Sequence, residues 1–186
     1  MGAGEDRPSS VSTPAQPGAL TLHLLRHAKS SWDDPRLGDV DRPLAPRGER
    51  AARRLARDLP PAGVAPRLIL CSSARRALQT LDLIRPGLPS NAEIVVEEGL
   101  YGAGGPELMA RLRRLPAGCV EAMVIGHNPG IHDLALALAG SRAPAPLRER
   151  LPTGALVSLR CSAAGWRRLR PGVGEVTRLL LPRRRR

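Results

Sequence analysis

Phenylalanine is absent from the 186 residues, and with one tyrosine and two tryptophans the aromatic share is only 2%. A core must therefore be assembled from aliphatic side chains, and the 29 leucines can supply it. So few rings also leave no set of stacking platforms of the kind that binders of single-stranded nucleic acid use. Lysine is nearly missing too. Lys29 stands alone beside 28 arginines, and against 17 acidic residues the net charge is +12. Such an arginine bias follows GC-rich coding as readily as selection for an anionic polymer, so nucleic acid is not the partner it indicates. Cysteine is scarce: Cys71, Cys119 and Cys161 are odd in number and far apart, with no C-x-x-C pair or Cys/His cluster. Neither a disulfide framework nor a zinc site is expected, and each cysteine reads as a small core or strand residue in a reducing compartment. Long apolar runs are lacking as well. LALALA at 134–139 falls far short of the ~20 residues a membrane span needs. The first residues show no basic start followed by an apolar stretch, and Asp6 stands where a myristoylation pattern wants Ser or Thr. These absences indicate a soluble, cytoplasmic protein with no membrane partner.

What is present is ordinary for a globular chain: 25% charged and 42% hydrophobic residues, in a length suited to one domain. Residues 1–19, rich in Pro, Ser, Gly and Ala, read as a disordered leader. Residues 20–182 read as a single domain, and 183–186 as a solvated basic tail. Within the domain strand and helix signals alternate. Apolar runs at 22–26, 68–71, 93–96, 122–126, 155–160 and 176–181 predict strands. Helical periodicity at 47–59, 74–84, 106–115 and 131–139 predicts helices, with Ser72 or Ser73 capping the second and Pro129 starting the fourth. That alternation predicts an α/β fold: a three-layer α/β/α sandwich around a mostly parallel sheet.

Three polar clusters follow predicted strands: Arg26-His27, Arg75-Arg76 and His127-Asn128. Open α/β sheets bind ligands beyond the carboxyl ends of their strands, where helix N-termini add unpaired N–H groups that favour an anion. Guanidinium forks match phosphate oxygens, and a neutral imidazole can attack phosphorus. An anion site suited to a phosphoryl group is therefore expected from the residues alone. Lys29 and Asn128 are candidates to line it. His23 and His132 read as structural histidines, and Trp32 as a packing or rim residue.

The same segments carry a resemblance. LLRHAKSSW resembles the RHG signature of the histidine phosphatase (phosphoglycerate mutase-like) superfamily, with Ala28 in place of glycine. The stretch from Asp41 to Gly48 resembles that superfamily's D-x-P-L-x-x-x-G segment. SSARRALQT resembles S-x-A-x-R-A-x-Q-T, which selects Arg76 over Arg75, and VIGHNPGI resembles the second-histidine segment. Together with EEGLYGA and the small size, the likeness is greatest to the SixA-type phosphohistidine phosphatases. It implies His27 as nucleophile, with Arg26, Arg76 and His127 binding the phosphoryl group and stabilising the transition state. It implies no metal and no cofactor. The acid that larger members use would fall at Glu98, beside Glu97. The expected function is a metal-independent phosphatase acting on phosphohistidine of a partner protein through an open pocket. A phosphatase of small phosphate esters, or a non-catalytic module holding phosphoprotein or nucleic acid, stands as the alternative.

Overall fold

A computed structural model of the protein describes residues 19–182, so the expected leader, apart from Ala19, and the arginine tail lie outside the described residues. Six strands alternate with helices in chain order: β1 (Ala19–Arg26), α1 (Pro46–Asp58), β2 (Leu68–Ser72), α2 (Arg75–Ile84), β3 (Glu93–Glu97), α3 (Gly105–Leu112), β4 (Glu121–Gly126), α4 (Gly130–Ala139), α5 (Ala145–Glu149), β5 (Leu156–Ser162) and β6 (Gly174–Leu180). They form one sheet in the order β3-β2-β4-β1-β5-β6. The first four strands pair in parallel, and β5 runs antiparallel to both β1 and β6. Five of six strands thus point one way, as a mostly parallel sheet requires.

Alternation within the strands builds the layers. Leu20, Leu22 and Leu24 of β1 face a core closed by α3, α4 and the buried Trp166. Leu25 faces the other core, with Met123 and Ile125 of β4, under Leu55 of α1 and Leu81 of α2. Each buried leucine contributes about 1.5–3 kcal/mol, so this aliphatic interior needs no phenylalanine. The three cysteines are free and buried in or beside these strands. Burial pushes the Cys71 and Cys161 thiols up to about 12, as inert core residues. His23, also buried, is bridged between Ser158 and Glu121 at 2.8 Å on each side.

Helix ends depart from the sequence expectation where local chemistry gives way to tertiary contact. Neither serine caps α2. Its N-cap is Ala74, and Ser72 ends β2, where its hydroxyl accepts from the Ala74 N–H at 3.3 Å and lies 2.8 Å from His127. Helix α3 ends at Leu112, and α5, with two prolines in its surroundings, has too little periodicity to be seen in sequence.

The path of the chain creates a crevice. After β1 it passes to the α1–α2 side of the sheet, whereas after the adjacent β4 it passes to the α3–α4 side. The loops leaving these neighbours diverge, which opens a cleft at their carboxyl ends. Gly48 sets its depth: a methyl group there would run into the Lys29 carbonyl, so only glycine lets α1 approach the segment that follows His27. Gly130 makes the corresponding approach to the Ala103 carbonyl at the start of α4. Gly48→Ala is expected to lower stability by about 1–3 kcal/mol in urea unfolding. Gly99→Ala, at a site with nothing within 4 Å of the added methyl, is expected to leave the midpoint unchanged. Equal midpoints for the two variants would contradict this reading.

Candidate active site

The crevice gathers Arg26 and His27 from the end of β1, Arg76 from the first turn of α2, and His127 from the end of β4. His27, Arg76 and His127 are each less than one-tenth exposed, while Arg26 is half-buried. Arg75 is exposed on the outer side of α2, in keeping with the choice of Arg76.

His27 is fixed in one tautomer. Its Nδ1 lies 2.7 Å from the Ala28 carbonyl, which can only accept, so Nδ1 carries the proton and Nε2 the lone pair. Arg76 Nε donates to that Nε2 at 3.3 Å. Burial holds His27 down to about 3 against the upward pull of the Ala28 carbonyl, with smaller downward contributions from His127, Arg76 and Arg26. The ring is therefore neutral at physiological pH. The His127 ring lies 4.9 Å from it, centroid to centroid. Burial, followed by Arg76 and Arg26, lowers His127 to about 4, opposed by Asp39. Ser72 Oγ lies 2.8 Å from His127 Nε2 and also accepts from the Ala74 amide. His127 Nδ1 is buried without a partner. Arg26 donates through Nη1 to the Leu151 carbonyl at 2.8 Å and leaves Nε unpaired, with burial lowering its pKa. The crevice thus holds a neutral imidazole lone pair beside two guanidinium groups and an unpaired imidazole nitrogen, a setting in which an anion can be held.

The backbone around this cluster is pinned by the Gln-Thr of the second arginine segment. Thr80 Oγ1 accepts from the Ala28 N–H at 3.0 Å and donates to the Arg76 carbonyl at 2.6 Å. Gln79 Oε1 accepts from the Leu44 N–H at 2.7 Å. Arg42, buried in the loop before α1, donates to Asp39, Ser30 and Ser31 and stacks on the ring of Trp32. Asp41, which opens the quoted D-x-P-L segment, is exposed on that loop.

Two residues that the sequence reading did not select reach the site. Asp39 Oδ2 accepts from Arg76 Nη2 at 2.8 Å and from the Tyr101 hydroxyl at 2.8 Å, and the Asp39 carbonyl accepts from Arg76 Nη1. The Tyr101 ring stands edge-on to His127, 5.5 Å between centroids. The Tyr101 hydroxyl and the guanidinium groups of Arg76 and Arg42 outweigh burial and hold Asp39 at about 2, a carboxylate. Asp39 therefore occupies the outer fork of Arg76, with the Tyr101 hydroxyl bonded to it. Its signal in sequence was an acidic residue three positions before a buried arginine, which no periodicity singles out. Glu98 is exposed, and its carboxyl group makes no hydrogen bond or ion pair among the described residues. Glu97 pairs with Arg111 at 2.6 Å. Asn128 donates to the Leu151 carbonyl at 3.0 Å, with Oδ1 buried and unpaired, and Lys29 lines a groove beside Arg26. His132 is held by the Leu147 carbonyl, as a structural residue would be.

Comparison with known proteins follows the same lines. The profile of the histidine phosphatase superfamily (branch 1) matches residues 22–103. An uncharacterized protein of Mycobacterium tuberculosis is 35% identical over 86% of this chain and 100% of its own length. Among solved structures, the candidate phosphohistidine phosphatase SixA of Nakamurella multipartitia is 30% identical, with a TM-score of 0.78 over 89% of this chain and 97% of that one. Its counterpart from Agrobacterium tumefaciens is 26% identical, with a TM-score of 0.76 over 88% and 98%.

Two predictions follow from the electrostatics. By NMR, the ring signals of His27 and His127 are expected not to titrate between pH 5 and 8, with His27 as the Nδ1–H tautomer; a midpoint near 6.5 would contradict the burial account. Asp39→Ala is expected to tighten competitive inhibition by inorganic phosphate about tenfold, equivalent to about 1.4 kcal/mol, by freeing Arg76 of a like-charged rival. Weaker inhibition would show that Asp39 instead orients Arg76 for the anion.

Proposed function

Because this chain belongs to the histidine phosphatase superfamily, we propose that it hydrolyses protein-borne phosphohistidine through a phosphoryl intermediate on His27. The observation that carries this reading is the buried, neutral His27 ring, whose Nδ1–H is committed to the Ala28 carbonyl and whose Nε2 lone pair is turned to the Arg76 guanidinium. In the first step Nε2 attacks phosphorus and the phosphorus–nitrogen bond of the substrate breaks. The departing imidazole keeps the bonding pair and already carries a proton on its other nitrogen, so it leaves neutral. Arg26, Arg76 and His127 bind the phosphoryl oxygens and neutralise the charge that shifts onto them, without need of a metal. Asp39 must give up the outer fork of Arg76 as the phosphoryl group enters. In the second step water attacks the phosphorus on His27. The phosphorus–Nε2 bond breaks, its electron pair returns to Nε2, and the proton released by water leaves with the phosphate.

The acid–base inventory supports a nitrogen-linked substrate. An alkyl ester needs a proton donor for a strongly basic alkoxide. Glu98 is exposed and makes no hydrogen bond to the site residues, and Asp39, held as a carboxylate, does not stand ready to donate at neutral pH. Phosphohistidine needs no such donor.

The test is phosphate release, with EDTA present, from a phosphohistidine-bearing protein and from p-nitrophenyl phosphate. Wild type is expected to favour the phosphohistidine substrate, with His27→Ala losing at least 10³-fold in kcat, in the range of covalent nucleophile removals. Glu98→Gln is expected to retain full activity. Preference for the ester, with loss in Glu98→Gln, would move the substrate to small phosphates.

A further inference from the structure

Next to the pocket lies a groove of about 1410 Å³ that shares Arg26 with it. It follows the carboxyl edge of the sheet from β1 past the segment before β5 to the end of β6, walled on one side by α1. Six cationic side chains line it, Arg26, Lys29, Arg47, Arg50, Arg54 and Arg150, against one carboxylate, Asp58. Its floor is aliphatic, with Leu55 and Leu151 buried and Leu179 and Leu180 half-buried.

Apart from Arg26, which donates to the Leu151 carbonyl, these cationic side chains make no hydrogen bond or ion pair among the described residues. Arg47, Arg50 and Arg54 follow at i, i+3 and i+7, forming one exposed stripe along α1. Like charges at such spacing cost a helix a few tenths of a kcal/mol per pair. Among the described residues no carboxylate lies within ion-pair distance of these three or of Arg150. Arg53, on the neighbouring flank, does have a partner in Glu49. At the rim, Trp32 is 69% exposed although it is one of only two tryptophans. Its ring is held under the Arg42 guanidinium, in a depression that shares Lys29 and Arg47 with the groove. An exposed, oriented tryptophan beside unpaired arginines is the composition of a binding hot spot.

We propose that this groove docks an acidic, amphipathic segment of the protein substrate, placing its phosphohistidine against Arg26 and His27. The proposal rests on the function proposed above. Carboxylates of the segment would meet the stripe of α1, its aliphatic side chains the leucine floor, and its edge Trp32. A protein segment fits better than a nucleic acid, because the floor offers leucines to bury and the single ring at the rim, Trp32, already has one face stacked against Arg42. Attraction over this surface raises encounter rates and lowers KM, with little effect on the chemical step.

The experiment separates docking from turnover. A fluorescein-labelled, 20-residue helical peptide rich in Glu and Leu, and its Gln-for-Glu counterpart, neither phosphorylated, are titrated with the protein by anisotropy. The acidic peptide is expected to bind at least tenfold tighter, to be weakened by salt, and to shift the Trp32 emission. Arg50→Glu combined with Arg54→Glu is expected to abolish that preference while leaving hydrolysis of free phosphoramidate unchanged. With a phosphohistidine built into the acidic peptide, the same variant is expected to raise KM about tenfold at constant kcat. Equal binding of the two peptides, undiminished binding by the double variant, or displacement by a single-stranded 20-nucleotide DNA at lower concentration than by unlabelled peptide would each overturn the proposal. Tight binding of the acidic peptide without phosphate release from its phosphohistidine form would overturn the substrate reading alone, and the groove would stand.

Discussion

A single hydrogen bond, from His27 Nδ1–H to the carbonyl of the next residue, decides what the crevice can be. It fixes the tautomer, leaves the lone pair on Nε2, and keeps the ring turned toward the guanidinium of Arg76. Burial among positive groups then keeps that lone pair unprotonated. The surrounding fold serves this bond. Thr80 holds the Ala28 amide, the side-chain-free Gly48 lets α1 close on Lys29, and β4 sets the His127 ring beside His27.

The arginines that favour the neutral His27 ring are also the groups an anion must reach, and the structure resolves that demand with a stand-in. Asp39 satisfies the outer fork of Arg76, so that a buried guanidinium is not left unpaired. It is itself tied to Arg42 and Tyr101, which carry it on a loop and a turn rather than on the sheet. In the proposed reaction, a phosphoryl group brings more charge and more acceptor oxygens than one carboxylate, and exchange at Arg76 follows. Tyr101 touches both His127 and Asp39 and so links the ring to the loop.

The residues delivered by strand ends were legible in the sequence. Arg26-His27 and His127 follow short apolar runs, and Arg76 follows one across a two-residue turn, so strand–helix alternation placed them on one edge. The layers were legible for the same reason, since the apolar residues of β1 and β4 have two faces to cover. What escaped was delivered by irregular chain. Asp39 sits in a loop between β1 and α1, where neither a period of two nor of 3.6 marks an inward side chain. Tyr101 follows a single helical turn that carries Glu98 to the surface instead of into the pocket. Ser72 was visible as a polar residue before a helix, but its partner is His127, 55 positions away, rather than the helix it precedes. The motif glycine and the Gln-Thr pair were visible as letters, whereas their work of holding the backbone behind His27 needed the third dimension.

The account turns on one nitrogen atom. Rapid-quench of the protein with a phosphohistidine-bearing substrate, followed by 31P NMR and peptide mapping under alkaline conditions, identifies the atom that carries the transferred group. The expected result is a transient phosphoryl group on Nε2 of His27, formed at the rate of the first turnover. Phosphorylation at Nδ1 of that ring or at His127, or release of phosphate with no enzyme-bound intermediate, would contradict it.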